Sequence, residues 1–198
     1  MKTLYLFDFD GTLSKTDSAK FFFRKVTNPF VFYWSIYISP FSLILRYFLF
    51  RGDNFSIKKI RLKNIFRYSK EQRIKDYYFN SENYIDEILK AGVLKYIREL
   101  SSNPNNDIYI VSASFSFILE KWAKRENIGL LTNEIEIKND YKTIRFLNDF
   151  DCDGIGKALL IKQSISLTDY DKIVSYGDSI NDFQMFLLSD EFYYKPTF

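Results

Sequence analysis

The chain opens with Thr3-Leu4-Tyr5-Leu6-Phe7-Asp8-Phe9-Asp10-Gly11-Thr12-Leu13. The short apolar run at 4–7 has the length and composition of a strand buried on both faces. It ends in two carboxylates, a glycine and a hydroxyl. Asp8 and Asp10 are two residues apart, so in an extended chain their side chains leave on the same side. Two anions held that close repel, and burial raises the cost. The loop itself has no arginine or lysine, so a divalent cation is the expected compensation. Oxygen donors without soft ligands suit Mg2+. Gly11 permits a tight turn. Taken alone, the stretch also fits a strand followed by an Asp-Gly turn. The remainder of the chain separates the two readings.

A length of 198 residues fits one domain, or one domain with an insertion, and can bury a full core. A formal net charge of +3 carries no polyanion signature, and no nucleic-acid motif accompanies the basic residues. No nucleic acid is therefore expected as a partner. A single cysteine, Cys152, excludes an intramolecular disulfide and a cysteine zinc site, and suits a reducing compartment. Histidine is absent. That removes Ser-His-Asp and Cys-His catalysis and leaves acid–base work at neutral pH to carboxylates or lysine. No basic and apolar leader precedes the first strand, so a cytoplasmic location is expected.

After Leu13 the pattern turns helical, with Asp17 or Ser18 as the cap of a helix carrying Phe21, Phe22 and Arg24. Residues 26–45 hold no charge, yet Pro29 and Pro40 interrupt them. This pattern predicts two short apolar helices meeting near Pro40, buried in a helical cap. A segment dipping into a bilayer, over residues 26–50, is the alternative. The next stretch carries Lys58, Lys59, Arg61, Lys63, Arg67, Lys70, Arg73 and Lys75. Such a run is usually a solvated helix face. Beside an exposed apolar hairpin it would also suit an anionic lipid surface at the inner membrane face.

Residues 81–100 read as helix with a break near Gly92, and 107–112 as a second buried strand ending in a hydroxyl. A helix over 117–126 and a short strand at 128–131 follow. Residues 134–138 and 142–146 flank Asn139-Asp140 as a small β-hairpin. Gly154-Ile155-Gly156-Lys157 opens a helix through Ile165. A strand at 172–176 runs into Gly177-Asp178-Ser179-Ile180-Asn181-Asp182. One more helix and a last strand at 191–194 complete the pattern. Strands alternating with helices predict an α/β fold: a Rossmann-like parallel sheet with helices on both faces, plus an inserted helical cap. The expected division is a core of 1–13 and 91–198 with a cap of 14–90. Ligands of such sheets sit beyond the C-terminal strand ends, which places Asp8 and Asp10, Ser112, and Asp178 and Asp182 at one rim.

These residues fit phosphoryl chemistry. Asp8, the backbone carbonyl of Asp10, and Asp178 would hold the cation, with Asp182 beside them. Lys157 would neutralise phosphate charge, and Ser112 with the backbone N–H groups after it, Ala113 first, would bind its oxygens. Asp8 would attack phosphorus, and Asp10 would serve as proton donor and then acceptor. Ser112, Lys157 and the Asp178–Asp182 pair each have a plainer reading as a strand-end hydroxyl, a surface lysine, and a turn with a helix cap. Their order and strand context together favour the chemical reading.

Asp8-Phe9-Asp10-Gly11-Thr12 resembles the DxDGT motif of the haloacid dehalogenase-like hydrolases. Ser112, Lys157 and Gly177-Asp-Ser-Ile-Asn-Asp182 are similar to that superfamily's second, third and fourth motifs. The resemblance implies its strand order, Mg2+ and an aspartyl-phosphate intermediate. An aspartate two residues after the nucleophile is the phosphatase version. The helical insert and Val111-Ser112-Ala113-Ser114 resemble the phosphoserine phosphatase-like subclass, which implies that Asn181 lies near the phosphate. Two positions depart from that subclass. Asp17 stands where its glutamate reads the substrate amine, and Ser112-Ala113-Ser114 replaces Ser-Gly-Gly. The early insert, with its Pro-interrupted apolar run and Arg51-Gly52, is also similar to the phosphatidylglycerophosphatase C branch. The expected activity is thus a Mg2+-dependent phosphatase acting on a small phosphorylated metabolite or a lipid phosphate. A phospho-accepting receiver domain would be shorter, with its acceptor off the first strand. A non-catalytic membrane-docking protein would have no use for clustered carboxylates that cost stability.

Overall fold

The computed structural model describes residues 1–33, 54–138, 140–141 and 143–198. Among the described residues, β1 (Thr3–Phe7) is followed by the helices α1 (Ser18–Val26), α2 (Pro29–Tyr33), α3 (Asn54–Tyr68) and α4 (Glu71–Ile88). Then come α5 (Val93–Ser101), β2 (Asn106–Phe115), α6 (Ser116–Arg125) and β3 (Gly129–Asn133). A hairpin of β4 (Ile135–Ile137) and β5 (Ile144–Phe146) leads to α7 (Ile155–Ser164), β6 (Lys172–Gly177), α8 (Phe183–Phe186) and β7 (Glu191–Tyr194).

Five strands form one parallel sheet in the order β3-β2-β1-β6-β7, and β4 pairs with β5 antiparallel. β1 is the central strand, and its side chains show why the run at 4–7 is unbroken. Leu4 and Leu6 enter one core with Val111, Ile161 and Met185. Tyr5 and Phe7 face the other, with Phe22, Ile110, Trp122 and Tyr176. Period-2 alternation therefore delivers apolar groups to both layers. Each fully buried Phe or Leu contributes about 1.5–3 kcal/mol relative to exposure.

Asp17 caps α1, its carboxylate accepting from the Lys20 amide at 2.7 Å. The chain leaves for the inserted helices beside the point where it returns. Ser14 and Leu89 form an isolated antiparallel bridge, flanked by Lys15 N–H to Ile88 O (2.7 Å) and Lys90 N–H to Leu13 O (2.8 Å). The inserted α4 is fastened to α6 of the core. Arg125 makes a fork of bonds to Asp86 at 2.9 and 2.7 Å, and the Trp122 indole donates to the same carboxylate at 3.1 Å.

Two expectations change. β2 continues past Ser112 to Phe115, and β3 runs to Asn133 instead of stopping at 131. The helix expected after Asp182 is present, as the single turn Phe183–Phe186. The apolar pair near Pro40, and most of the 26–50 segment, lie outside the described residues. Among the described residues no helix is long and apolar enough to cross a membrane.

Candidate active site

The register brings three strand ends to one rim. Phe7 lies opposite Ile110 of β2 and Tyr176 of β6. Asp8 thus follows directly on β1, while Ser112 and Asp178 lie two residues beyond their partners. The Asp8 amide donates to the Tyr176 carbonyl at 2.9 Å, so sheet geometry persists to this residue.

Asp8 is buried, 6% exposed. One carboxylate oxygen accepts from Lys157 Nζ at 2.6 Å and the other from the Thr12 hydroxyl at 2.9 Å. Lys157, in the first turn of α7, is equally buried and also donates to Asp182 at 2.5 Å. Burial pushes the Asp8 carboxyl up to about 6 although Lys157 pulls it down; Asp182 adds to the rise. Burial opposes the charge on Lys157, but Asp8 and Asp182 outweigh it and hold the ammonium above its ordinary range. A lysine distant in sequence therefore supplies part of the compensation that the loop itself lacks.

Asp182 has little capacity left. One oxygen takes Lys157; the other accepts from the Asp178 amide (3.1 Å), the Ser179 amide (3.0 Å) and the Ser179 hydroxyl (3.0 Å). It is fully buried and locks the turn after β6. Gly177 makes this possible, because a Cβ there would lie 2.6 Å from that of Asp182. Asp178 is half-buried, and among the described residues its carboxylate makes no hydrogen bond or ion pair. It rests on Gly11, whose φ of +86° and whose missing Cβ, 2.3 Å from Asp178 Oδ2 if present, both require glycine. The Gly11 carbonyl accepts from Lys90 Nζ.

Oxygens of Asp8, Asp178 and Asp182 lie within 4.8 Å of one another. Three carboxylates against one ammonium leave the cluster negative. Hard oxygen donors with no nitrogen or sulfur fit a Mg2+-like cation. The Asp10 carboxylate does not join them. β1 has ended at Phe7, so the alternation that would align Asp8 and Asp10 no longer applies. Asp10 turns to α1, accepting from the Ser18 amide at 2.7 Å and the Ser18 hydroxyl at 3.1 Å. Burial, helped by the nearby Asp17 charge, pushes its carboxyl up to about 7 despite the Ser18 bonds.

Ser112 is buried and its hydroxyl accepts from the Ser114 amide at 3.1 Å. The Ser114 hydroxyl meets that of Ser18 at 2.7 Å. One network thus joins Asp10, Ser18, Ser114 and Ser112. Ala113 is half-buried between them. Asn181 is exposed and its amide donates to Asp153 at 3.2 Å, in the turn that precedes α7.

A cleft of about 190 Å3 opens beside Asp10, lined by Asp17, Lys20, Phe23, Lys58, Arg61 and Phe115 among others. Lys20 faces Asp17 at 3.7 Å and Lys58 pairs with Asp151 at 2.6 Å. Arg61 differs: its Nε is buried with no hydrogen-bond partner among the described residues, and burial lowers the guanidinium's pKa. In the sequence Lys58 and Arg61 belong to a basic run of the kind that is usually solvated. Their i, i+3 spacing on one helix was the available signal that they share a face. Asn133, buried near Ala113, carried no signal beyond being polar at a strand end.

The haloacid dehalogenase-like hydrolase family matches residues 5–187, and the chain belongs to it. No curated protein matches the chain. Among solved structures, a protein of unknown function from Bordetella pertussis Tohama I is similar at a TM-score of 0.71 and 18% identity, over 97% of this chain and 89% of that one. A phosphoserine phosphohydrolase-like protein from Francisella tularensis subsp. tularensis SCHU S4 gives 0.64 and 21%, over 97% and 86%. A substrate-bound phosphoserine phosphatase gives 0.63 and 17%, over 97% and 85%. At these identities the likeness is one of fold alone.

Proposed function

We propose that this chain is a Mg2+-dependent phosphatase that cleaves a phosphomonoester through a phosphate adduct on Asp8. The observation that carries the reading is the buried Asp8 at the tip of the central strand, bonded to Lys157 and adjacent to the unpaired carboxylate of Asp178. A carboxylate so placed is desolvated and held in one orientation at the rim where ligands of such sheets sit. Asp8 and Asp178, with the carbonyl of Asp10, would hold the cation; Asp182 fixes Lys157 and the turn bearing Asp178. When bound, the cation supplies charge neutralisation at the phosphate and at Asp8.

Asp8 attacks phosphorus, forming a new P–O bond as the bond to the leaving oxygen breaks. Asp10, elevated to about 7, holds the proton that the leaving alkoxide needs. It then accepts a proton from the water that attacks the adduct, and phosphate leaves as the Asp8–phosphorus bond breaks. Ser112, the Ala113 N–H and Lys157 bind the phosphate oxygens. The inserted helices, residues 14–90, serve as a cap over the core of 1–13 and 91–198, and their linkers meet at the Ser14–Leu89 bridge.

The leaving group occupies the cleft beside Asp10. A buried guanidinium N–H without an acceptor costs stability. An anionic group on the substrate would satisfy Arg61, which favours a small metabolite with a second negative charge. A second reading has one observation behind it. Phe30 and Tyr33, at the start of the apolar run, are 76% and 59% exposed. They suit a phosphatase acting on a lipid phosphate such as phosphatidylglycerophosphate at a membrane surface on the cytoplasmic side.

Phosphate release from a panel of phosphoserine, sugar and nucleotide monophosphates and phosphatidylglycerophosphate in mixed micelles, with and without Mg2+, tests both. Mg2+-dependent release that disappears in Asp8→Asn supports the mechanism. Preference for the micellar substrate supports the lipid reading, and release that survives in Asp8→Asn rejects the nucleophile.

A further inference from the structure

β2 does not keep register with β3. Val111 pairs with Leu131, but the next pair is Phe115 with Asn133, so Ser112-Ala113-Ser114 bulges from the ladder. A bulge leaves backbone groups unpaired. A side chain recovers one of them: Asn133 Nδ2 donates to the Ala113 carbonyl at 2.8 Å. The same nitrogen donates to Asp151 at 2.8 Å, and Asn133 Oδ1 accepts from the Cys152 amide at 2.8 Å. Both N–H groups and the carbonyl of the amide are engaged, and the residue is fully buried at the end of β3. The other Asp151 oxygen receives Lys58 of α3 at 2.6 Å. Gly156 packs against the Asp151 backbone, where a Cβ would fall 1.8 Å from its carbonyl oxygen.

We propose that Asn133 is a positioning residue. It holds the Ser112–Ser114 bulge and the loop leading to Lys157 in one fixed relation, and through Asp151 ties both to Lys58 of the inserted helices. This rests on the reading above, in which the bulge and Lys157 grip the phosphate from two sides. A displacement of about 1 Å in such a grip costs on the order of a hundredfold in rate. Asparagine suits the position because it offers two donors and an acceptor in one short plane. Aspartate lacks the donors and would face the Asp151 charge. Alanine and serine leave the Ala113 carbonyl unpaired.

The test compares wild type with Asn133→Ala and Asn133→Asp in Mg2+-dependent hydrolysis of p-nitrophenyl phosphate and in inhibition by orthovanadate. Amide hydrogen exchange at 112–114 and 152 is read alongside. The expected result is a kcat lower by about 10- to 100-fold, with vanadate affinity falling in parallel and KM within about threefold. Exchange should quicken at those amides and not through the rest of β2. If Asn133→Ala does not fold, Asp151→Ala, at a less buried site, should move kcat and exchange in the same direction by about 3- to 10-fold. The proposal is overturned if kcat and vanadate affinity stay within about twofold of wild type. It is equally overturned if exchange rises across the whole sheet, which would make Asn133 a stability residue only. Wild type inactive on every phosphomonoester would reject the phosphatase reading, and exchange at 112–114 would still test the tether.

Discussion

Asp10 shows how neighbours set a residue's role. Its carboxyl reaches about 7 because it is buried at the start of α1, and the charge on Asp17 pushes in the same direction. As proton donor it must be protonated, so kcat is expected to fall as pH rises through about 7. Replacing Asp17 by Asn removes a negative charge that favours the protonated form. The Asp10 pKa then drops, and the falling limb of the kcat profile moves to lower pH. A limb left in place by Asp17→Asn would mean that another group is being read. The placement of Asp8, Asp10, Ser112, Lys157, Asp178 and Asp182 at strand ends and helix starts was legible in the sequence, because each follows an apolar run or opens a helix. Their partners were not. Lys157 and Asp8 are 149 positions apart, and only the fold makes them neighbours.

The elements were legible where one periodicity ran long enough. β1, β6 and the helix capped by Asp17 follow from alternation, composition and capping. The extension of β2 through a bulge was not, because the residues that repair the ladder come from β3 and from the loop before α7. The basic run at 58–75 reads as a solvated helix face; Lys63, Arg67 and Lys70 are exposed, while Lys58 and Arg61 line the cleft. That placement carries a prediction. Arg61→Met keeps the stem and removes the charge, so it should raise KM about 10-fold or more for substrates with a second anionic group. For p-nitrophenyl phosphate, which has none, KM should hardly change. Equal effects on both substrates would place Arg61 outside leaving-group recognition.

At the scale of the whole molecule, the sheet gathers charges that would repel without a counter-ion, and stability should report this. Asp8 and Asp10 hold protons more tightly folded than unfolded. Their contribution is complete below the ordinary carboxylate pKa of 3.8 and is lost as pH rises through about 6 and about 7. Without metal, the urea midpoint should therefore fall from about pH 5 to about pH 8. Mg2+ competes with the proton on Asp8, so it should stabilise more at the higher pH, by about 2.7 kcal/mol at a hundred times its Kd. Equal stabilisation at both pH values would argue that the cation binds elsewhere. The claim on which the rest depends is that Asp8 takes the phosphate. It is tested most directly by acid-quenching the enzyme with Mg2+ and substrate in a single turnover and locating the adduct by peptide mass spectrometry. The account predicts phosphate on the peptide containing Asp8, formed and lost at the rate of turnover and absent from Asp8→Asn. Turnover without an adduct at any time, or an adduct on another residue, would contradict it.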